Sequence, residues 1–235
     1  MLLDIFLSSG NIFVKLLTFL VLFPALLFAL TCHEYAHGYA AYTQGDFYAK
    51  SMGRLSLNPF KHLDPLGTLC MLIFGFGWAK PVPIVPSNFK NGRKSLLLVA
   101  VAGVFANFLL AVLSIFFLDF FWYIIWPAVP WFSTDMGASI ALVIQMFFQY
   151  FASINIALAV FNLVPIPPLD GYKIVKELFE NGRNMRTFMS VERYATIILL
   201  AFLFLSNRLG IIGGISSAVL NGIQSVIGLI FTAFR

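Results

Sequence analysis

Two histidines four residues apart, with a glutamate directly after the first, lie near the end of the first long apolar run: His33-Glu34-Tyr35-Ala36-His37. On a helix, residues at i and i+4 lie nearly above one another, so the two imidazoles share a face. That spacing suits two ligands of a tetrahedral zinc ion and leaves Glu34 free to act as general base. Zinc lowers the pKa of a coordinated water to about 7, and Glu34 can take its proton during attack on a carbonyl. The plainer reading, a histidine pair packed into a helix, fits poorly. The surroundings are apolar, and ionisable groups at membrane depth are rare and usually functional.

Two imidazoles leave a catalytic zinc one protein ligand short. His62 lies in the turn-rich, cationic stretch Asn58-Pro59-Phe60-Lys61-His62-Leu63-Asp64-Pro65, outside any apolar span. Asp170 is the better candidate. It follows a long apolar segment that Pro165, Pro167 and Pro168 cannot continue as helix, and Gly171 permits a turn that aims the carboxylate inward. The alternative is an ordinary Asp-Gly turn. Two amides, Asn107 inside one apolar span and Asn162 at the end of the next, either bond between helices or hold a substrate carbonyl or oxyanion near the metal. Ala100, Gly103 and Ala106 would let the helix of Asn107 approach a neighbour closely.

The elements that must position these groups are membrane spans. The chain is 60% hydrophobic and 11% charged, with 27 Phe; soluble domains carry about 25% charged residues. An all-α polytopic membrane protein is expected, with about five to six transmembrane helices. The net charge of +5 matters through its distribution: the cations flank apolar spans and form no stripe with interleaved aromatics, which excludes a nucleic-acid partner. Cys32 and Cys70 make no disulfide framework, and no cleavable signal peptide is evident.

In order, 1–10 is an apolar lead ending in the helix-start signal Ser8-Ser9-Gly10, and 11–43 is a long helix that Pro24 could kink. Residues 49–94 hold seven of the chain's 15 cations. Inside that region 66–79 is apolar but too short to span, and so re-entrant. Lys80-Pro81-Val82-Pro83-Ile84-Val85-Pro86 reads as extended edge strand, completing a membrane-embedded re-entrant or β-hairpin region. Spans follow at 95–118 and 138–164, separated by 119–137, which carries Trp122, Tyr123, Trp126 and Trp131 with no Lys or Arg. That composition is an interfacial aromatic belt. After the cationic stretch 172–193, residues 194–235 form a helical hairpin broken near Asn207-Arg208-Leu209-Gly210. Cation-rich loops face the cytoplasm, which places 49–94, 172–193 and Arg235 inside, the N-terminus and 119–137 outside, and five full crossings between them. The site then lies toward the cytoplasmic side of what is expected to be a prokaryotic plasma membrane.

Together, His33-Glu34-Tyr35-Ala36-His37, Gly77-Trp78-Ala79-Lys80-Pro81-Val82-Pro83, the Gly103-to-Asn107 stretch and Asn162-Leu163-Val164-Pro165-Ile166-Pro167-Pro168-Leu169-Asp170-Gly171 resemble the site-2 protease family of intramembrane zinc metalloproteases. The resemblance covers about residues 30 to 172. It implies one Zn2+ per chain on His33, His37 and Asp170, Glu34 as catalytic base, and a membrane-embedded hairpin at 53–86 beside the site. Where the family often has proline after the helix glycine, this chain has Val104. The chain is expected to be a short, bare-core form without PDZ or CBS domains.

The expected activity is therefore hydrolysis of peptide bonds within or near transmembrane segments of membrane-protein substrates. A helical substrate must unwind before water can attack it. Val82 and Ile84 are the expected places where it adds as a strand. The rivals are a catalytically inactive zinc-binding membrane scaffold and a metal transporter. An intact Glu34 argues against the first, and the lack of repeated halves with several intramembrane acids argues against the second.

Overall fold

Helix α1, Ile12–Thr43, starts where the Asn11 side chain accepts the Phe13 N–H at 2.8 Å, capping a first-turn donor that otherwise lacks a partner. It runs unbroken through Pro24. Its 32 residues extend about 48 Å, well beyond a hydrocarbon core of about 30 Å. His33 sits roughly 32 Å along it, counted as helical rise from Ile12. Gly45 ends the helix with φ 105°, a region closed to most side chains, and folds Asp46 back so that its N–H reaches Ala41 O at 3.0 Å.

The computed structural model describes residues 11–74 and 77–233. The lead 1–10 with its start signal, the Gly75-Phe76 pair, and Arg235, expected inside, lie outside the described residues. Helix α2, Pro65–Phe74, has 10 residues, about 15 Å, half of what a crossing needs. Its flanks meet again: Leu63 and Ala79 form an antiparallel bridge, and Lys80 N–H reaches His62 O at 2.8 Å. The two ends of the segment thus lie together. Among the described residues the pairing goes no further than that bridge. Pro81, Pro83 and Pro86 each lack the N–H that a longer ladder would use.

Helix α3, Arg93–Phe120, passes through Gly103, Val104 and Asn107 without a break. It outruns the expected 95–118, continuing through a π turn at Phe121–Ile125 to Trp126–Ala128. No glycine or proline interrupts it from Val104 to Trp126. The aromatic belt therefore lies mostly on helix, with Phe121, Trp126 and Phe132 in ring contact. Helix α4, Asp135–Asn162, is capped by Thr134, whose hydroxyl accepts Gly137 N–H at 3.1 Å. The remaining helices are α5 (Asp170–Phe179), α6 (Met185–Arg193), α7 (Ala195–Leu209) and α8 (Ile211–Thr232). Gly210, at φ 63°, separates the last two.

Helices α1, α3, α4 and α8 are each long and apolar enough to cross a membrane, and α6–α7, bent by 67°, makes a fifth if it is one span. The protein is an all-α polytopic membrane protein, with four to five candidate spans among the described residues. Its interior is the seam of α1, α3 and α4. Leu22, Ala25 and Ala29 pack on Phe151 and Ile154. Ala40 and Ala41 pack with Phe89 and Val99. Helix α8 closes the other side, with Ile227 and Phe231 against Ile115 and Ala152. Small residues at the α1 contacts bring helix backbones close, the usual means of association in lipid.

Candidate metal centre

His33 and His37 point from α1 into the seam with α3, both buried. Their Nε2 atoms are 3.1 Å apart. Asp170, the first residue of α5, reaches the same point: its Oδ2 lies 3.2 Å from His33 Nε2 and 3.0 Å from His37 Nε2. Tetrahedral ligands at about 2.0–2.1 Å from zinc are separated by about 3.3–3.4 Å. A triangle of 3.0–3.2 Å would suit three ligands of such an ion. Two neutral imidazoles and a carboxylate are a donor set that zinc accepts. The residues present fit the ion.

Each imidazole is oriented through its other nitrogen. His37 Nδ1 donates to the Val99 carbonyl at 2.7 Å, which leaves Nε2 as the lone-pair atom. His33 Nδ1 donates to Asn107 Oδ1 at 2.5 Å. The Asn107 amide in turn donates to Asn155 Oδ1 at 2.7 Å and faces Ala29 O at 3.4 Å. Asn155 passes its own amide to Phe151 O at 2.8 Å. The two backbone carbonyls fix which way each amide faces, and hence the His33 tautomer. Asn107 and Asn155 are both fully buried.

Gly103 explains how the rings lie so close to α3. A Cβ there would clash with His37 Nε2 and would sit 2.7 Å and 2.8 Å from His33 Cε1 and Nε2. Gly171 does the same for Asp170: a Cβ would meet the carbonyl of Leu163 and lie 2.7 Å from that of Val164. The turn after the prolines can therefore fold tightly enough to carry the carboxylate inward. The Lys173 ammonium lies 2.8 Å from Asp170 Oδ1, and its charge favours the ionised carboxylate that a metal needs.

Glu34, half-buried, directly follows His33 on α1, and its Oε2 accepts the Val82 N–H at 2.9 Å. This changes the expected role of the 80–86 segment. Pro81 and Pro83 have no N–H, that of Val82 goes to Glu34 and that of Val85 to Asp46. An added strand would find a donor only at Ile84, whose side chain packs on the Ala40, Ala41, Phe89 and Val99 cluster.

The other candidates divide. Asn107 belongs to the site, but as the partner of His33: both its amide protons and its oxygen are engaged, so it has no donor for an oxyanion. Asn162 donates to Leu158 O on its own helix at 3.0 Å and makes no hydrogen bond to the three ligand atoms. His62 is buried in the 49–94 region with Nε2 on Ser56 O at 2.7 Å, outside the cluster. Asn155 was not among the sequence candidates. Its signal was available, an amide inside an apolar span and two turns before Asn162 on the same face.

The profile of Peptidase family M50 matches residues 21–206. The chain is 40% identical over 186 residues to "Putative zinc metalloprotease YwhC" of Bacillus subtilis (strain 168), covering 79% of this chain and 80% of that protein. It is 26% identical over 190 residues to "Putative zinc metalloprotease Rip2" of Mycolicibacterium smegmatis, covering 79% of this chain and 67% of that one. No solved structure matches. The matched region includes the histidine pair, Asn107, Asn155 and the Asp170 turn. The chain belongs to peptidase family M50, and is a membrane-integral zinc metalloendopeptidase of the site-2 protease type.

Proposed function

We propose that the chain cleaves peptide bonds within or beside transmembrane segments of membrane-protein substrates, with zinc on His33, His37 and Asp170 and with Glu34 as general base. The observation that carries this reading is the buried triangle of ligand atoms, 3.0–3.2 Å on a side and drawn from two ends of the matched region. When bound, zinc supplies Lewis acidity and an acidified water. The chain supplies the rest. His33 and His37 are held as Nε2 ligands by Asn107 and Val99 O, so no reorientation precedes binding. Glu34 has one oxygen fixed by Val82 N–H, which leaves Oε1 to take a proton and deliver it to the leaving amide nitrogen. Buried walls from α1, α3 and α4 limit competing water.

The active site faces the cytoplasm of a prokaryotic plasma membrane in this reading. His33 is roughly 32 Å along α1 from Ile12, counted as helical rise, and the cation-rich segments lie at its end of the bundle. Purified wild type and Glu34→Gln, each incubated with a single-span substrate, test the proposal. Equal zinc contents with cleavage only by wild type support it. Equal cleavage by both would remove Glu34 from the chemistry, and zinc without cleavage in wild type would favour the inactive scaffold.

A further inference from the structure

Asp46 follows the end of α1 and is fully buried, yet among the described residues no imidazole or cation forms an ion pair with it. It accepts three hydrogen bonds instead: from Val85 N–H at 2.7 Å, from Asn88 Nδ2 at 2.8 Å and from Tyr48 N–H at 3.1 Å. A carboxylate out of water is costly unless its oxygens are satisfied, and two of these three donors belong to the strap 80–88, which is extended to Val85 and ends in a 3-10 turn at Pro86–Asn88. That strap meets α1 at one other carboxylate, Glu34, through Val82 N–H. Between the two anchors, Gly38 lets the strap lie flat: a Cβ there would be 3.0 Å from Val82 Cγ1. Arg54 holds the near end through the carbonyls of Lys80 and Pro81, at 2.8 Å and 3.1 Å.

We propose that Asp46 is a positioning residue for Glu34: it pins the strap at Val85 and Asn88, and so delivers Val82 N–H to the carboxylate of the base. This rests on the reading of Glu34 given above. Val82 has prolines on both sides, so its N–H is the one donor at 81–83, and the strap's register decides whether it meets Glu34. Charge-assisted N–H bonds of this kind are short and directional, and small misplacements of a reacting group are expensive in rate.

Zinc-loaded wild type, Asp46→Asn, Asn88→Ala and Glu34→Gln are compared for kcat and KM on one single-span substrate, with zinc content measured on each. Asp46→Asn should lower kcat by about 10- to 100-fold with KM within about twofold and zinc content unchanged. A purely structural role would lower the yield of folded protein but leave kcat of the zinc-loaded fraction intact, and that result overturns the proposal. If Asp46→Asn gives no zinc-loaded protein, Asn88→Ala decides, because it removes only an exposed donor to Asp46. A kcat loss of about 2- to 5-fold at unchanged KM supports the inference, and an unchanged kcat overturns it. Glu34→Gln separates the two levels. Full activity there defeats the proposed function itself, whereas an inactive Glu34→Gln beside a fully active Asp46→Asn defeats only the positioning role.

Discussion

Gly103→Ala adds a single methyl in the middle of α3, and zinc binding should not survive it. The added Cβ would clash with His37 Nε2 and stand 2.7 Å from His33 Cε1. Carbon contacts settle at about 3.5 Å or more, so the His33 ring must retreat by about 0.8 Å and the His37 ring by more. Ligand distances in working metal sites hold to about 0.2 Å. Neither ring has slack, since His37 Nδ1 is tied to Val99 O at 2.7 Å and His33 Nδ1 to Asn107 at 2.5 Å. Loss of an orienting partner alone costs about 10- to 100-fold in affinity, and displacing both ligands should cost at least the upper end of that range. Helix content should not fall, because alanine is the better helix former by about 1 kcal/mol. Competition with a chelator of known affinity, on protein in detergent or nanodiscs, reads the effect, with circular dichroism as the control. A Gly103→Ala protein that binds one zinc within threefold of the wild-type affinity would refute the packing argument.

Other consequences are smaller. Asn155→Leu leaves Asn107 without its 2.7 Å acceptor and should weaken zinc binding by about 10-fold, less than Asn107→Leu does; chelator competition ranks them. Lys173→Met removes the ammonium 2.8 Å from Asp170 Oδ1, but that side chain is 56% exposed. Screening should keep the loss of zinc affinity under about fivefold, measured the same way. A cysteine at Ser133 should react with an impermeant thiol reagent from outside intact cells and one at Arg183 only after permeabilisation; the reverse pattern would invert the topology.

How far the sequence reveals this depends on the range of each contact. The histidine pair is legible because i, i+4 on a helix is local geometry, and Asp170 because three prolines and a glycine leave the chain little choice after α4. The α3 boundary was not, since Phe, Trp and Ile past Leu118 suit either a belt or a helix, and the helix continued to Ala128. The 80–86 segment was legible as an edge, but its partner was not. Val82 meets a glutamate 48 positions earlier, a contact that no periodicity encodes. Asp46 carries no signal in the sequence, because a turn aspartate and a buried carboxylate anchor share the same neighbours along the chain. Asn107 was identified as important on sound grounds, but its use, orienting His33, depends on how α1 and α3 register.

The central claim is that zinc is held by two imidazoles and one carboxylate. X-ray absorption at the zinc edge of the purified protein tests it most directly. The account predicts two imidazole nitrogens at about 2.0–2.1 Å and only oxygen besides. A sulfur scatterer at about 2.3 Å, which would bring in Cys32 beside His33, or a spectrum with fewer than two imidazoles, would contradict it.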